Sequence, residues 1–165
     1  MNSVEQVIDW YTQAVSNIHI ATKGVLAQAG NELLSWMRIA VDVGVTSDGF
    51  GRMTAADQLR MALSFTGAPT EVPLWLPKLY LATRRSSDSE ELDGPGSVTE
   101  IRNSVVHPRH KARFSDPMAM LEGNFLAIHY LELLLLHRCG YEGRMLNRTN
   151  WGNSEFVVPW VAKIK

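Results

Sequence analysis

The sequence predicts an all-α fold, a compact helical bundle that ends in a short irregular or hairpin tail. Three observations favour this fold. Apolar residues recur at intervals of three and four along most of the chain, which is typical of helices that bury one face. Polar residues with capping spacing stand before several of these stretches. The composition, with 45% hydrophobic and 20% charged residues, is that of a globular domain.

The first predicted helix begins at Ser3, which has capping-box spacing to Gln6. Apolar residues continue at helical spacing as far as Val41. They form either one long helix or two helices with a break near residues 19–24. The glycines that follow predict a loop from Val45 to Gly51.

Three signals organise the middle of the chain. Thr54 is expected to cap a short helix, and the polar stretch from Arg84 to Gly96 predicts a surface loop. Ser97 and Glu100 form a second capping-box pair, so the next helix is predicted to start there. It is predicted to end at His107, because the proline that follows disfavours helical geometry in the residue before it.

The last helix has the clearest signals of all. Asp116 is a good N-cap and Pro117 suits the first helical position, so a long helix is predicted to run to about Arg138. Gly140 is then a suitable C-terminal stop. The tail from Tyr141 to Lys165 is predicted to hold at most a short hairpin.

Length, charge and cysteine content exclude several classes of protein. The 165 residues predict a single domain, and the net charge of −1 excludes a protein that coats nucleic acid indiscriminately. The single cysteine, Cys139, excludes an internal disulfide framework and a multi-cysteine zinc module. No signal peptide or bilayer-length apolar run is visible, so we expect a cytoplasmic protein without membrane contact. No cofactor and no metal site is expected.

One basic segment is the candidate for chemistry. Residues 101–115 contain no acidic side chain, although the whole chain is close to neutral. Arginine and lysine suit phosphate, and histidine titrates near neutral pH. The segment is therefore a candidate anion-binding surface, formed by Arg102, His107, Arg109, His110, Lys111 and Arg113.

The residue types in this segment suit RNA cleavage without a metal ion. His107 could act as general base or acid on a ribose 2′-hydroxyl, and Arg102 could stabilise the phosphorane that forms. Asn103 can donate and accept hydrogen bonds beside them. On an ideal helix Arg102 and His107 point about 140° apart. Convergence therefore needs either a break at Pro108 or a second subunit. The alternative is an exposed arginine and a histidine that caps a helix C-terminus.

The motif resembles that of a known family. Arg102-Asn103-Ser104-Val105-Val106-His107 resembles the Arg-polar-X3-His motif of HEPN domains, the helical nucleotide-binding and RNase superfamily of prokaryotic defence systems. Other segments, in the same order, resemble the ApeA-like HEPN group: Gln28–Trp36, Tyr130–Leu136 followed by Gly140-Tyr141, Asn147-Arg148 and Val158–Trp160.

The resemblance implies a homodimer in which Arg102 and His107 of both copies share one cleft. It implies a metal-independent endoribonuclease and a role as a toxin or antiviral effector, with RNA as partner and with an antitoxin or a sensor domain as a further partner. His107 would be base or acid, Arg102 would stabilise phosphate and Asn103 would orient the site. Toxins of this family that are regulated by nucleotidyl modification carry a tyrosine where this chain has Arg109.

Two questions stay open at this level. Glu32 is either a support for the Arg102 guanidinium or a partly exposed helix residue. The chain itself is either a ribonuclease, with Arg109, His110, Lys111 and Arg113 contacting RNA, or a non-catalytic module. Such a module would dimerise or bind nucleotide or RNA within a larger defence system. A purely structural helical domain is a third reading.

Overall fold

The structure is a computed structural model. It describes residues 3–16, 19–84, 91–107, 114–150 and 154–162, and it confirms the predicted mostly helical fold. Within the described residues the elements in chain order are α1 (Ser3–Ser16), α2 (Ile20–Trp36), a π-helix (Met37–Asp42), α3 (Ser47–Gly51), α4 (Ala55–Thr66), α5 (Pro77–Arg84), α6 (Gly94–Val106), α7 (Pro117–Arg138), β1 (Arg144–Leu146), β2 (Glu155–Val157) and α8 (Pro159–Ala162).

Helix α7 is the centre of the bundle. It packs against α1, α2, α4, α5 and α6. Its length and apolar composition would suit a membrane span, but 72% of its most apolar stretch is buried inside the fold. A helix that is apolar on all sides and enclosed by other helices is the core of the protein.

Two buried polar contacts fix the neighbouring helices on α7. The carboxylate of Glu122 accepts the backbone N–H of Leu79 at 2.7 Å, and this bond satisfies a free amide in the first turn of α5. The amide nitrogen of Asn31 in α2 donates to the carbonyl of Ala127 at 3.0 Å. These bonds set how α2 and α5 lie along α7.

Several predicted helix boundaries are confirmed. The Thr54 hydroxyl accepts the N–H of Asp57 at 3.1 Å and caps α4. The carboxylate of Asp116 accepts the N–H of Met118 at 2.9 Å and caps α7. Just beyond α7, Gly140 has a φ of 67°, in the left-handed region that glycine favours.

The sequence predicts at most a short hairpin in the tail after α7, and the structure contains one. Strands β1 and β2 pair antiparallel, with Met145 opposite Phe156. Met145 is buried, and Phe156 packs against the core. One face of the hairpin therefore packs against the helical bundle.

The predicted start of α6 is wrong. The Asp93 carboxylate accepts the N–H of Gly96 at 2.8 Å and is the N-cap, so α6 begins at Gly94 and not at Ser97. The Ser97 hydroxyl donates to the backbone carbonyl of Asp93 at 2.7 Å, inside the first turn. Gly94 is required here because a Cβ would overlap the Tyr130 hydroxyl.

Other local expectations also need correction. The predicted loop from Val45 to Gly51 contains α3, which Thr46 caps by accepting the N–H of Gly49 at 3.1 Å. The first apolar stretch forms two helices, as one of the two alternatives predicted, but residues 20–24 are helical, because α1 ends at Ser16 and α2 begins at Ile20 after the extended His19. The two ends of the predicted surface loop from Arg84 to Gly96 are wrong, since Arg84 belongs to α5 and the residues from Gly94 onward belong to α6. Its residues 85–90 lie outside the described part.

We expect Asp93→Ala to lower the free energy of unfolding by about 1–2 kcal/mol. Asp93 caps α6, and its carboxylate accepts the Arg60 Nε and Nη2 at 2.6 and 2.9 Å. Urea unfolding monitored by circular dichroism measures the change. Asp93→Asn keeps a capping side chain and loses the charge, so it should lie between wild type and alanine. Equal stability of wild type and Asp93→Ala would contradict this account.

Candidate functional site

Helices α2 and α6 bring Glu32 and Arg102 together. Oε1 of Glu32 lies 3.7 Å from Nη2 of Arg102, and Nη1 of Arg102 donates to the Asn103 side-chain oxygen at 3.1 Å. The Arg102 side chain is 29% exposed and the Glu32 side chain 33%. The guanidinium is therefore held by two neighbours and still reaches solvent. We name this group, Glu32, Arg102 and Asn103, the arginine cluster.

A buried contact one turn away holds the same two helices in register. Gln28 is almost fully buried, and its side-chain nitrogen lies 3.4 Å from the Thr99 hydroxyl, to which it donates. Gln28 precedes Glu32 by four residues, and Thr99 precedes Arg102 by three. Both pairs therefore lie along one polar stripe between α2 and α6. Sequence reasoning gave Gln28 no role, although this spacing was visible.

His107 lies where α6 ends. It is the C-cap residue with φ −114° and ψ 94°, and its N–H donates to the carbonyl of Asn103 at 2.9 Å. The chain thus leaves helical geometry at the predicted place. The angle of an ideal helix therefore no longer fixes the direction of the His107 side chain, which is exposed. Within the described residues no hydrogen bond or ion pair joins it to Arg102.

The other predicted RNA-binding residues cannot be placed. Arg109, His110, Lys111 and Arg113 lie outside the described residues. Phe114, the first described residue after them, is buried in the core. His107 and the arginine cluster are therefore the part of the predicted site that the structure describes.

A second polar cluster, which sequence reasoning missed, ties the tail to the bundle. The buried Glu132 carboxylate accepts the Tyr11 hydroxyl at 2.6 Å and the Arg148 Nε at 2.8 Å. Burial and the hydrogen bond to Glu132 raise the pKa of Tyr11. The three side chains line a cleft of about 390 Å³. They connect segments more than 100 residues apart in sequence, so no local pattern could have predicted them.

Among the residues that the structure describes, no three histidine, cysteine, aspartate or glutamate side chains converge as ligands for a metal ion. Cys139, at the end of α7, is exposed and unpaired with another cysteine.

Comparison with known proteins identifies related sequences. The family described as the YopA C-terminal domain matches residues 1–158. The SPbeta prophage-derived protein YopA of Bacillus subtilis (strain 168) is 35% identical over 160 residues, which cover 94% of this chain and 35% of that protein. The chain thus spans about a third of the curated relative's length. No solved structure matches the chain. These matches leave the resemblance to HEPN domains a prediction.

Proposed function

The chain belongs to the YopA C-terminal domain family, and we propose that it is an endoribonuclease that cleaves RNA without a metal ion. The observation that carries the proposal is the arginine cluster, with its partly exposed guanidinium, on the helix that ends at the exposed His107. A fixed cation and a titratable imidazole near one helix end are the two groups that such a reaction needs.

Each side chain has a distinct role in the proposed reaction. His107 removes the proton from a ribose 2′-hydroxyl, and the oxygen attacks the adjacent phosphorus. The Arg102 guanidinium stabilises the charge of the phosphorane, because planar donors match phosphate oxygens. The bond between phosphorus and the 5′-oxygen then breaks as the imidazolium formed on His107 returns the proton to that oxygen, and the products are a 2′,3′-cyclic phosphate and a 5′-hydroxyl. Asn103 orients Arg102 through their hydrogen bond.

We propose that two copies of the chain form the site. One copy shows no contact between the described side chains of Arg102 and His107, so a second copy would supply the missing partner. Val105 and Val106, directly before His107, expose 36% and 41% of their surface. Apolar side chains beside a charged site suit an interface that a partner covers. RNA would then extend over Arg109, His110, Lys111 and Arg113.

We propose a role in prokaryotic defence or stress response, as the motif resemblance implies. The relative's description as prophage-derived is compatible with such a role. In that setting an antitoxin or a sensor domain would restrain the nuclease. The proposed location is the cytoplasm, where RNA substrates are present.

The first test of this function is RNA binding in EDTA by wild type and Arg102→Ala. We expect the variant to bind a labelled transfer RNA about tenfold more weakly, because it loses a charge-assisted contact to phosphate. Arg144→Ala is the matched control, since Arg144 is an exposed arginine that pairs with Glu155 on the hairpin. Equal binding by wild type and Arg102→Ala, with both variants folded, would contradict the role of Arg102.

Glu32→Gln tests whether the arginine cluster positions Arg102. The change keeps the shape of the side chain and removes the charge that faces the guanidinium. We expect the cleavage rate to fall about tenfold while RNA binding stays within twofold, because orientation matters most in the transition state. A purely structural role would lower the melting temperature and leave the rate of the folded protein unchanged. Gln28→Glu is unsuitable as a control because Gln28 is buried.

A second candidate function is a non-catalytic module. The chain spans about a third of the relative, which is the size relation between a domain and a longer protein. Such a HEPN-like module would dimerise or bind nucleotide or RNA, and the remaining part of a larger protein would carry another activity. RNA binding without cleavage, unchanged in His107→Ala, would favour the module over the enzyme.

A further inference from the structure

A small cavity with both apolar and charged lining residues lies between the π-helix and the C-terminal end of α7. Its volume is about 100 Å³, and its charged or titratable lining residues are Arg38, Asp42, His137 and Arg138. Arg38 and Asp42 belong to the π-helix, and the other two belong to the last turn of α7. π-helical segments occur frequently at functional sites. None of these residues takes part in the proposed cleavage of RNA.

The lining of this cavity carries an excess of positive charge. Asp42 is the acidic residue among the described lining side chains, and two guanidinium groups share it. Its Oδ2 accepts Nη1 of Arg138 at 2.7 Å and lies 3.5 Å from Nη1 of Arg38. One carboxylate between two arginines leaves one positive charge without a counter-charge.

One hydrogen-bond donor at the cavity is buried without a partner. The Arg38 Nε is inaccessible to solvent and has no hydrogen-bond acceptor among the described residues. The guanidinium carbon lies over the Phe65 ring, 4.6 Å from its centre. The Nε itself is out of reach, but the side chain as a whole is 36% exposed, so the other nitrogens of the guanidinium can meet an anion in the cavity.

His137 adds a neutral imidazole to the same wall. Burial and the nearby charge of Arg38 lower the pKa of His137 below its ordinary value. The ring packs edge-on against Trp160 with centroids 5.0 Å apart, which holds its orientation. An anion beside Arg38 and His137 would oppose the effect of the Arg38 charge and so raise the pKa of His137.

We propose that this cavity binds one phosphate group, either as inorganic phosphate or as the terminal phosphate of a mononucleotide. The guanidinium groups of Arg38 and Arg138, whose side chains are 36% and 40% exposed, would donate to its oxygens, as guanidinium groups do in phosphate sites. The volume is far below the roughly 300–1,000 Å³ of sites for drug-sized ligands. A nucleoside would therefore stay outside while the phosphate entered.

The experiment measures binding of inorganic phosphate and the titration of His137. We expect calorimetry to give a dissociation constant on the order of 1 mM for phosphate. Arg38→Gln should weaken it at least tenfold. Arg52→Gln, an exposed arginine paired with Asp48 four residues away, is the matched control and should bind like wild type. By NMR, phosphate should raise the pKa of His137 relative to sodium chloride at equal ionic strength.

A competition measurement identifies the source of the phosphate, and a second variant keeps the proposal testable if the first variant does not fold. Adenosine monophosphate that competes with phosphate, while adenosine does not, would assign the site to mononucleotides; no competition would assign it to the free anion. If Arg38→Gln fails to fold by circular dichroism, Arg138→Gln replaces it. The proposal is overturned if His137 titrates identically in phosphate and chloride, or if the folded variants bind phosphate like wild type.

Discussion

Replacing His107 by alanine is expected to lower the rate of RNA cleavage in EDTA by at least about 100-fold, the lower range for loss of a general base. His107 is exposed where α6 ends, so its replacement by alanine removes little buried surface. The fold should therefore survive, and circular dichroism should give the wild-type spectrum. Cleavage of a labelled transfer RNA, followed over time on a gel, measures the rate.

The matched control for this prediction is His19→Ala. His19 is also an exposed histidine, but it lies at the start of α2 and not on α6. Its replacement should leave the cleavage rate within twofold of wild type. If His107→Ala cleaves RNA as fast as His19→Ala, His107 is neither the base nor the acid of the reaction.

Acidification from pH 7 to pH 4 is expected to lower the stability of the fold by about 3 kcal/mol through His129 alone. Burial, and secondarily the charge of Arg148, lower the pKa of His129 to about 4. The Nδ1 atom is buried and has no hydrogen-bond partner within the described residues. Because the unfolded chain takes up the proton near its ordinary pKa of about 6.5, stability falls as the pH drops from that value towards 4.

His129→Gln isolates this contribution, because glutamine carries no charge at any of these pH values. Urea unfolding of both proteins at several pH values between 7 and 4 gives the two stability curves. We expect the wild-type curve to fall more steeply below pH 6.5, by about 3 kcal/mol at pH 4 relative to pH 7. Parallel curves would show that His129 does not lose its proton on folding.

The sequence predicted those helix boundaries that one dominant local signal sets. Asp116 followed by Pro117 is such a signal, and α7 begins there. The predicted start of α6 is wrong because the chain offers two possible N-caps, Ser97 and Asp93. Asp93, four residues before Ser97, is the N-cap in the structure, and its carboxylate also binds Arg60. That contact joins residues 33 positions apart, so spacing along the chain does not reveal it. Nothing in the local pattern indicated the π-helix.

The same distinction applies to the candidate site. Arg102, Asn103 and His107 lie within six residues, and a motif can indicate them from the sequence. Contacts between distant helices need the fold: the Gln28–Thr99 hydrogen bond spans 71 residues. The contact between Glu32 and Arg102 is an intermediate case, because the sequence allows Glu32 either to support Arg102 or to be a partly exposed helix residue. Its 3.7 Å separation is a property of how α2 packs on α6.

The chemistry of the RNA ends made by the wild-type protein in EDTA tests the central claim most directly. Attack by a ribose 2′-hydroxyl, with His107 as base and Arg102 on the phosphate, predicts fragments with 5′-hydroxyl and 2′,3′-cyclic or 3′-phosphate ends. Sequencing of fragments from transfer RNA and total RNA, with end-specific ligation, reads these groups. Fragments with 5′-phosphate and 3′-hydroxyl ends would contradict the mechanism, and no cleavage by a folded, dimeric protein would contradict the activity.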